Sequence, residues 1–210
     1  VPTEEDRFIF QEEHTWFHEQ NNTRFSQQFG KGHSESGLPK TSDTPGTFGQ
    51  YMSRSLRSWK LYHFHDTSDS AAIKQTVDID DNRFFRPDGG NLAAFLYLLS
   101  KQYPGQYKNI QDSIRLVAPF FDRFVLEPLR RYPDKIRLEW KHKGTSDYFN
   151  ASSLSDGTLR FMCLATLLLQ PDLPSIILLD EPELGLHPTA VVILASLLRS
   201  ASKKSPVIVA

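Results

Sequence analysis

The sequence predicts an α/β fold in which parallel strands are flanked by helices, with a helical lobe added. Three observations lead there. Ile176-Ile177-Leu178-Leu179 is a short apolar run ending in two adjacent carboxylates, Asp180 and Glu181, and it reads as a buried strand. Residues 206–210 form a second apolar run with strand character. A helical pattern over residues 189–201 lies between them, and a strand–helix–strand order implies parallel pairing through a right-handed crossover.

Each element follows from local pattern. Residues 7–10 read as a short strand, and residues 12–28 as a polar-aromatic helix. Residues 30–49, rich in Gly, Ser, Thr and Pro, read as a flexible loop. Residues 53–62 form a short helix or an extended segment that runs into Tyr62-His63-Phe64-His65-Asp66-Thr67-Ser68. Residues 80–91, with Pro87 and two glycines, are a connection. From Asn91 a helix presents Leu92, Phe95, Leu96 and Leu99 on one face, and Pro104-Gly105 ends it. A second helix over residues 107–117 aligns Ile110, Ile114 and Val117. Residues 120–129 are aromatic strand or turn. Residues 136–141 alternate apolar and charged side chains, as a half-buried strand does, with residues 148–151 as its hairpin partner. Ser155 N-caps a helix that lasts to about Gln170. No internal repeat is present. These elements divide into residues 1–52, irregular and helical; residues 53–135, a helical lobe; and residues 136–210, the strand-and-helix core.

Composition narrows the function classes. At 210 residues the chain can hold one large domain or two lobes. The net charge of −1 gives no long-range pull toward nucleic acid or anionic lipid. The basic residues, as in Arg54/Arg57/Lys60, Arg130/Arg131 and Lys141/Lys143, are scattered solvated faces. The single cysteine, Cys163, excludes an internal disulfide and points to a reducing, cytoplasmic setting; it lies in an apolar helix and reads as a small buried hydrophobe. No apolar stretch is long enough to span a bilayer. The chain opens without Met or a signal pattern and closes on an apolar strand, so it reads as a fragment of a longer protein.

Two motifs carry chemistry. A buried strand that delivers paired acids at its C-terminal end is how an open α/β sheet presents Mg²⁺ and water to a nucleotide phosphate. Asp180 is the metal candidate and Glu181 the water-polarising candidate. The bland reading is a pair of surface acids at a strand end, and the continuation into Pro182-Glu183-Leu184-Gly185-Leu186-His187-Pro188 makes the string far more specific. Leu154-Ser155-Asp156-Gly157-Thr158 opens a helix, where a hydroxyl and free N–H groups attract an anion; its bland reading is an ordinary Ser cap with a Gly for close packing.

In order and spacing these motifs resemble those of the ABC-type ATPase heads of the SMC/RecF/OLD-like group, nearest the bacterial AAA-family "predicted ATPase" proteins with LSDGT and DEPELGLHP. The likeness extends to residues 59–68, 88–99 and 115–121. It implies a partial P-loop NTPase fold and ATP hydrolysis with Mg²⁺. In that family residues 154–158 are the signature motif, residues 176–181 the Walker B strand and residues 185–188 the D-loop. Two heads then dimerise around ATP, with Ser155, Asp156, Gly157, Thr158 and His187 facing the nucleotide across the dimer, Asp180 on the metal and Glu181 catalytic. Asp156 and Thr158 depart from the commoner LSGGQ, and His187 stands where transporters carry Asp. No GxxxxGK[ST] occurs: around Gly30-Lys31, Phe25 fills the first Gly position and Gly32 follows the Lys. The resemblance puts that loop upstream of Val1 and a switch histidine after Ala210, so this stretch alone is expected to be inactive. The implied setting is DNA repair or defence against phage or plasmids, with DNA or a nuclease as further partners and no membrane. The alternative is a degenerate head that dimerises or binds a partner or DNA without hydrolysis.

Other candidates have blander readings. His63, His65 and Asp66 could share a metal, yet hydrogen-bonded structural histidines are the commoner outcome. His14, His18 and Glu19 match no metal motif and read as a solvated helix face. Arg160 faces either a phosphate or a surface ion-pair partner. Phe120 to Phe124 read as core or lobe interface. Asp88 and Asn91 read as turn and helix-cap residues.

Overall fold

A computed structural model describes residues 8–18, 24–38 and 48–210. The chain forms two compact units, residues 1–58 and 59–210.

In the first unit, β1 (Glu13–His18) and β2 (Arg24–Gly30) make an antiparallel pair, and α1 (Phe48–Ser58) follows. The helix expected over residues 12–28 is therefore a hairpin. Thr15, Trp16 and Phe17 are strand formers. Residues 19–23 lie outside the described residues, as do Arg7 of the expected first strand and residues 39–47 of the expected loop. Phe8 takes part only in an isolated bridge. His14 sits in β1 and meets the Glu12 carboxylate at 3.2 Å.

The second unit is built on a three-stranded parallel sheet. Its order is β10 (Val207–Val209), β9 (Ile177–Leu179), β3 (Lys60–Tyr62). The parallel partnership of the last two apolar runs is as expected from the strand–helix–strand order. The third strand was not legible: β3 lies more than a hundred residues upstream and pairs Tyr62 with Leu179, which pairs with Val209. Tyr62, Ile177 and Leu179 are buried beneath helices.

Those helices are α2 (Leu92–Gln102), α3 (Pro104–Val117), α4 (Asp156–Leu169) and α5 (Pro188–Ala201). α4 packs against the other three. Its residues Leu159 and Phe161–Leu168 are all buried, the pattern of a helix enclosed on every side. Pro104 does not merely end α2: it starts α3 at a first-turn position, where proline lacks nothing because its N–H would have no intrahelical acceptor. Two small antiparallel sheets complete the unit. β4 (Val77–Asp78) pairs with β6 (Lys135–Ile136), and β7 (Glu139–His142) runs between β5 (Phe121–Val125) and β8 (Tyr148–Asn150). The expected strand over residues 136–141 is thus split between two sheets, while its hairpin with β8 is present. Phe121 and Phe124 are buried in the core, and Phe120 stacks on His142 at the surface.

Asn91 is fully buried and holds the N-cap position of α2, as expected, but its side chain makes no cap hydrogen bond. Its amide donates to the carbonyls of Asp81 and Phe84 and accepts from Arg86 N–H, so it ties the 81–91 connection together. Asp88 accepts from Gly90 N–H as a turn residue. Cys163 is buried, and burial pushes its thiol well up from the usual range. Among the described residues no helix is long and apolar enough to cross a membrane.

Candidate functional site

Three chain segments leave the parallel sheet at one edge. His63 follows β3, Asp180 follows β9, and Ala210 follows β10. Their backbones interlock: Asp180 N–H donates to the Tyr62 carbonyl at 3.3 Å, Ala210 N–H to Leu179 at 2.9 Å, and Glu181 N–H to Ala210 at 3.0 Å. The carboxyl ends of parallel strands are where open α/β sheets bind ligands.

At that edge a small cleft is lined by Tyr62, Phe64, His65, Arg160, Asp180 and Glu181, among others. Asp180 is half-buried and Glu181 exposed. Neither carboxylate is hydrogen-bonded or ion-paired within the described residues. Two adjacent unpaired carboxylates at a fixed strand end are the oxygen donors a hard divalent cation takes, so the residues present fit Mg²⁺. Glu181 is held at φ +39°, the one non-glycine with positive φ among the described residues. Such strain is found where a site fixes a side chain against local preference. Burial pushes the Tyr62 hydroxyl up to about 12.

The helix tip at residues 155–158 forms the second part. Ser155 is the N-cap of α4, accepting from Thr158 N–H at 3.3 Å and sharing a hydrogen bond with the Thr158 hydroxyl at 2.8 Å. Ser155 and Asp156 are exposed. The N–H groups of Asp156 and Gly157 have no acceptor within the helix. Ser155, Asp156 and Thr158 do not line the cleft of Asp180 and Glu181. The structure thus divides the predicted residues into an acidic cleft and an exposed anion-suited tip.

Two contacts connect these parts. A Cβ on Gly157 would stand 2.4 Å from the Gly185 carbonyl oxygen, so the tip touches the turn after the acidic strand backbone to backbone. Gly185, at φ +72°, needs the left-handed region that glycine alone enters freely. Arg160 then spans the site, donating from Nη1 to the Leu184 carbonyl and from Nη2 to the His65 carbonyl, each at 2.9 Å. The ion-pair expectation for Arg160 is corrected: its partners are backbone carbonyls, brought within reach only by the tertiary fold. His187 caps α5, its Nδ1 accepting from Thr189 N–H at 3.3 Å.

His65 is the cleft residue that sequence reasoning placed wrongly, as a satisfied structural histidine. Its Nε2 is buried and meets no hydrogen-bond partner among the described residues. No group of three His, Cys, Asp or Glu suited to a metal is found among them. Asp66 beside it accepts from the Ser68 hydroxyl at 2.7 Å and from Ser68 N–H at 3.1 Å, which hold its carboxyl below the usual range.

A family model described as "AAA domain, putative AbiEii toxin, Type IV TA system" matches residues 9–210. No curated protein matches the chain. Among solved structures it is similar to the Smc head domain with an extended coiled coil, bound to the C-terminal domain of ScpA, from Pyrococcus furiosus: 22% identity, TM-score 0.41, over 54% of this chain and 29% of that one. A structure described under ATP-driven dimerization and DNA stimulated activation of SMC ATPases gives 21% identity and TM-score 0.39, over 55% and 71%. The Smc head domain with a coiled coil and joint from Pyrococcus yayanosii gives 22% and 0.39, over 59% and 24%. The chain spans less than a third of the first and third of these.

Proposed function

The chain belongs to the AAA domain family described as putative AbiEii toxin of type IV toxin–antitoxin systems, and on that premise we propose that it is the acidic-strand and signature part of an ATP-hydrolysing head. Two such heads close around ATP, each lending its Ser155–Thr158 tip to the nucleotide held by the other. The observation that supports this best is the pair of unpaired carboxylates, Asp180 and Glu181, at the exit of the central parallel strand, with the backbone of Glu181 strained there. Asp180 would hold Mg²⁺, whose charge neutralises the phosphates when bound. Glu181 orients a water and accepts its proton. The water oxygen bonds to the terminal phosphorus while the bond to the bridging oxygen breaks, releasing ADP and phosphate. The separation of the tip from the acidic cleft supports a shared site, because a tip that serves its own cleft would line it. Work goes into opening and closing the dimer. Defence against phage or plasmids, or DNA repair, is the setting we propose, with DNA or a nuclease as partner.

The test is Glu181→Gln in the full-length protein. Steady-state turnover should fall by at least about 100-fold, and an ATP-dependent dimer should accumulate on size-exclusion chromatography with light scattering. Unchanged turnover removes Glu181 from its role. A Ser155→Arg protein that still dimerises with ATP removes the shared tip.

A further inference from the structure

Two buried nitrogens in the cleft stand without partners. Nε2 of His65 and Nε of Arg160 are both shut from solvent, and neither meets a hydrogen-bonding group among the described residues. Both side chains line the cleft that contains Asp180 and Glu181. Buried polar atoms are almost always paired, so two orphans in one place require an explanation. They are also chemically complementary. Arg160 has spent both Nη groups on backbone carbonyls, leaving Nε–H as a donor. A neutral imidazole nitrogen can accept.

One water would satisfy both nitrogens at once. Accepting from Arg160 Nε–H and donating one hydrogen to His65 Nε2 and the other to the Glu181 carboxylate, it would have the several polar partners a buried water needs. One of its lone pairs stays free for attack. His63 cannot substitute, being exposed with its ring 6.3 Å from that of His65. Arg160 also fixes the His65 backbone at 2.9 Å, so the imidazole is aimed before substrate arrives.

Resting on the ATPase reading above, we propose that His65 is a further residue of the hydrolytic site: its Nε2 accepts a hydrogen bond from the water that Glu181 deprotonates, and Arg160 is the positioning residue that holds it there. The balance is that of simple hydrolysis. The proton of the water that faces Glu181 passes to its carboxylate, the oxygen bonds to the terminal phosphorus, and ADP leaves with the bridging oxygen. The hydrogen on His65 stays with the oxygen and departs in the phosphate.

The experiment compares His65→Ala, His65→Phe and His65→Gln in the full-length protein. Turnover, and nucleotide affinity by titration with a fluorescent ATP analogue, are measured for each. Loss of an orienting hydrogen bond should lower kcat on the order of 10- to 100-fold in the Ala and Phe proteins, with analogue affinity within about threefold of wild type. Glutamine, which offers an acceptor at similar reach, should restore much of kcat. If Ala fails to fold, Phe, which keeps a ring without nitrogen, carries the test. Wild-type kcat in either protein overturns the proposal. So does weakened analogue binding at unchanged kcat, which would put the imidazole on the nucleotide. Equal loss of kcat in the Gln protein also overturns it, marking the ring as packing only. Glu181→Gln is assayed alongside: if it turns over normally the ATPase reading fails, whereas an inactive Glu181→Gln beside a fully active His65→Ala sinks only the role of His65.

Discussion

Replacing Gly157 by alanine tests how tightly the helix tip is joined to the turn after the acidic strand. The added Cβ would lie 2.4 Å from the Gly185 carbonyl oxygen, 0.6 Å inside the 3.0 Å that real Cβ atoms respect. Its neighbour is backbone, held on the other side by the Arg160 guanidinium, and cannot swing away as a side-chain tip would. Overpacking of this kind costs about 1–3 kcal/mol. Alanine returns up to about 1 kcal/mol as a better helix former. The net loss is about 1–2 kcal/mol, or about 3–6 °C in Tm for a domain of this size. Gly105 supplies the control: it also sits in a first helical turn, a Cβ there meets nothing within 4 Å, and its alanine variant should melt at or slightly above wild type. Thermal melts followed by circular dichroism on the full-length proteins decide the matter. A Gly157→Ala protein as stable as Gly105→Ala would refute the close approach and the linkage built on it.

Three further outcomes are expected. Arg160→Ala should cost about 2 kcal/mol by leaving the carbonyls of Leu184 and His65 without their charged donor, and Arg160→Lys should recover less than half of that in denaturant titration, since one ammonium cannot span both. Glu181→Gly should raise stability by about 1 kcal/mol by relieving the φ of +39° while abolishing turnover, and a drop in Tm would contradict the strain. The hydroxyls of Tyr62 and Tyr107 are both pushed up to about 12 by burial, so the folded state keeps protons that the unfolded state loses above pH 10; stability should hold steady to about pH 10 and decline from there toward 12, and Phe at both positions should flatten that decline.

Much of the acidic strand and the helix tip was legible because their signals are local. Ser155 caps α4 through its own hydroxyl, and an apolar run ending in two acids is a strand end wherever it pairs. The family resemblance drawn from the same residues agrees with the family whose model matches residues 9–210. The β1–β2 hairpin was misread because its strand formers are few and set among polar residues, so aromatic spacing suggested a helix. Pro104 was read as a stop although proline suits a first turn equally well. The placements of Arg160 and His65 in the cleft were beyond reach for another reason. Each depends on a chain segment far away in sequence, and an arginine does not announce backbone carbonyls as its partners.

The guanidinium of Arg160 closes one loop of 24 residues, to Leu184, and another of 95, to His65. Contacts of such separation form late in folding, after the entropy of the intervening chain has been overcome. The cleft edge is therefore among the last parts of the molecule to become geometrically correct. A nascent or partly denatured chain with its helices already formed lacks the arranged cleft. On the proposed function, hydrolysis would be confined to molecules that have finished assembling, a safeguard against wasteful consumption of nucleotide during synthesis.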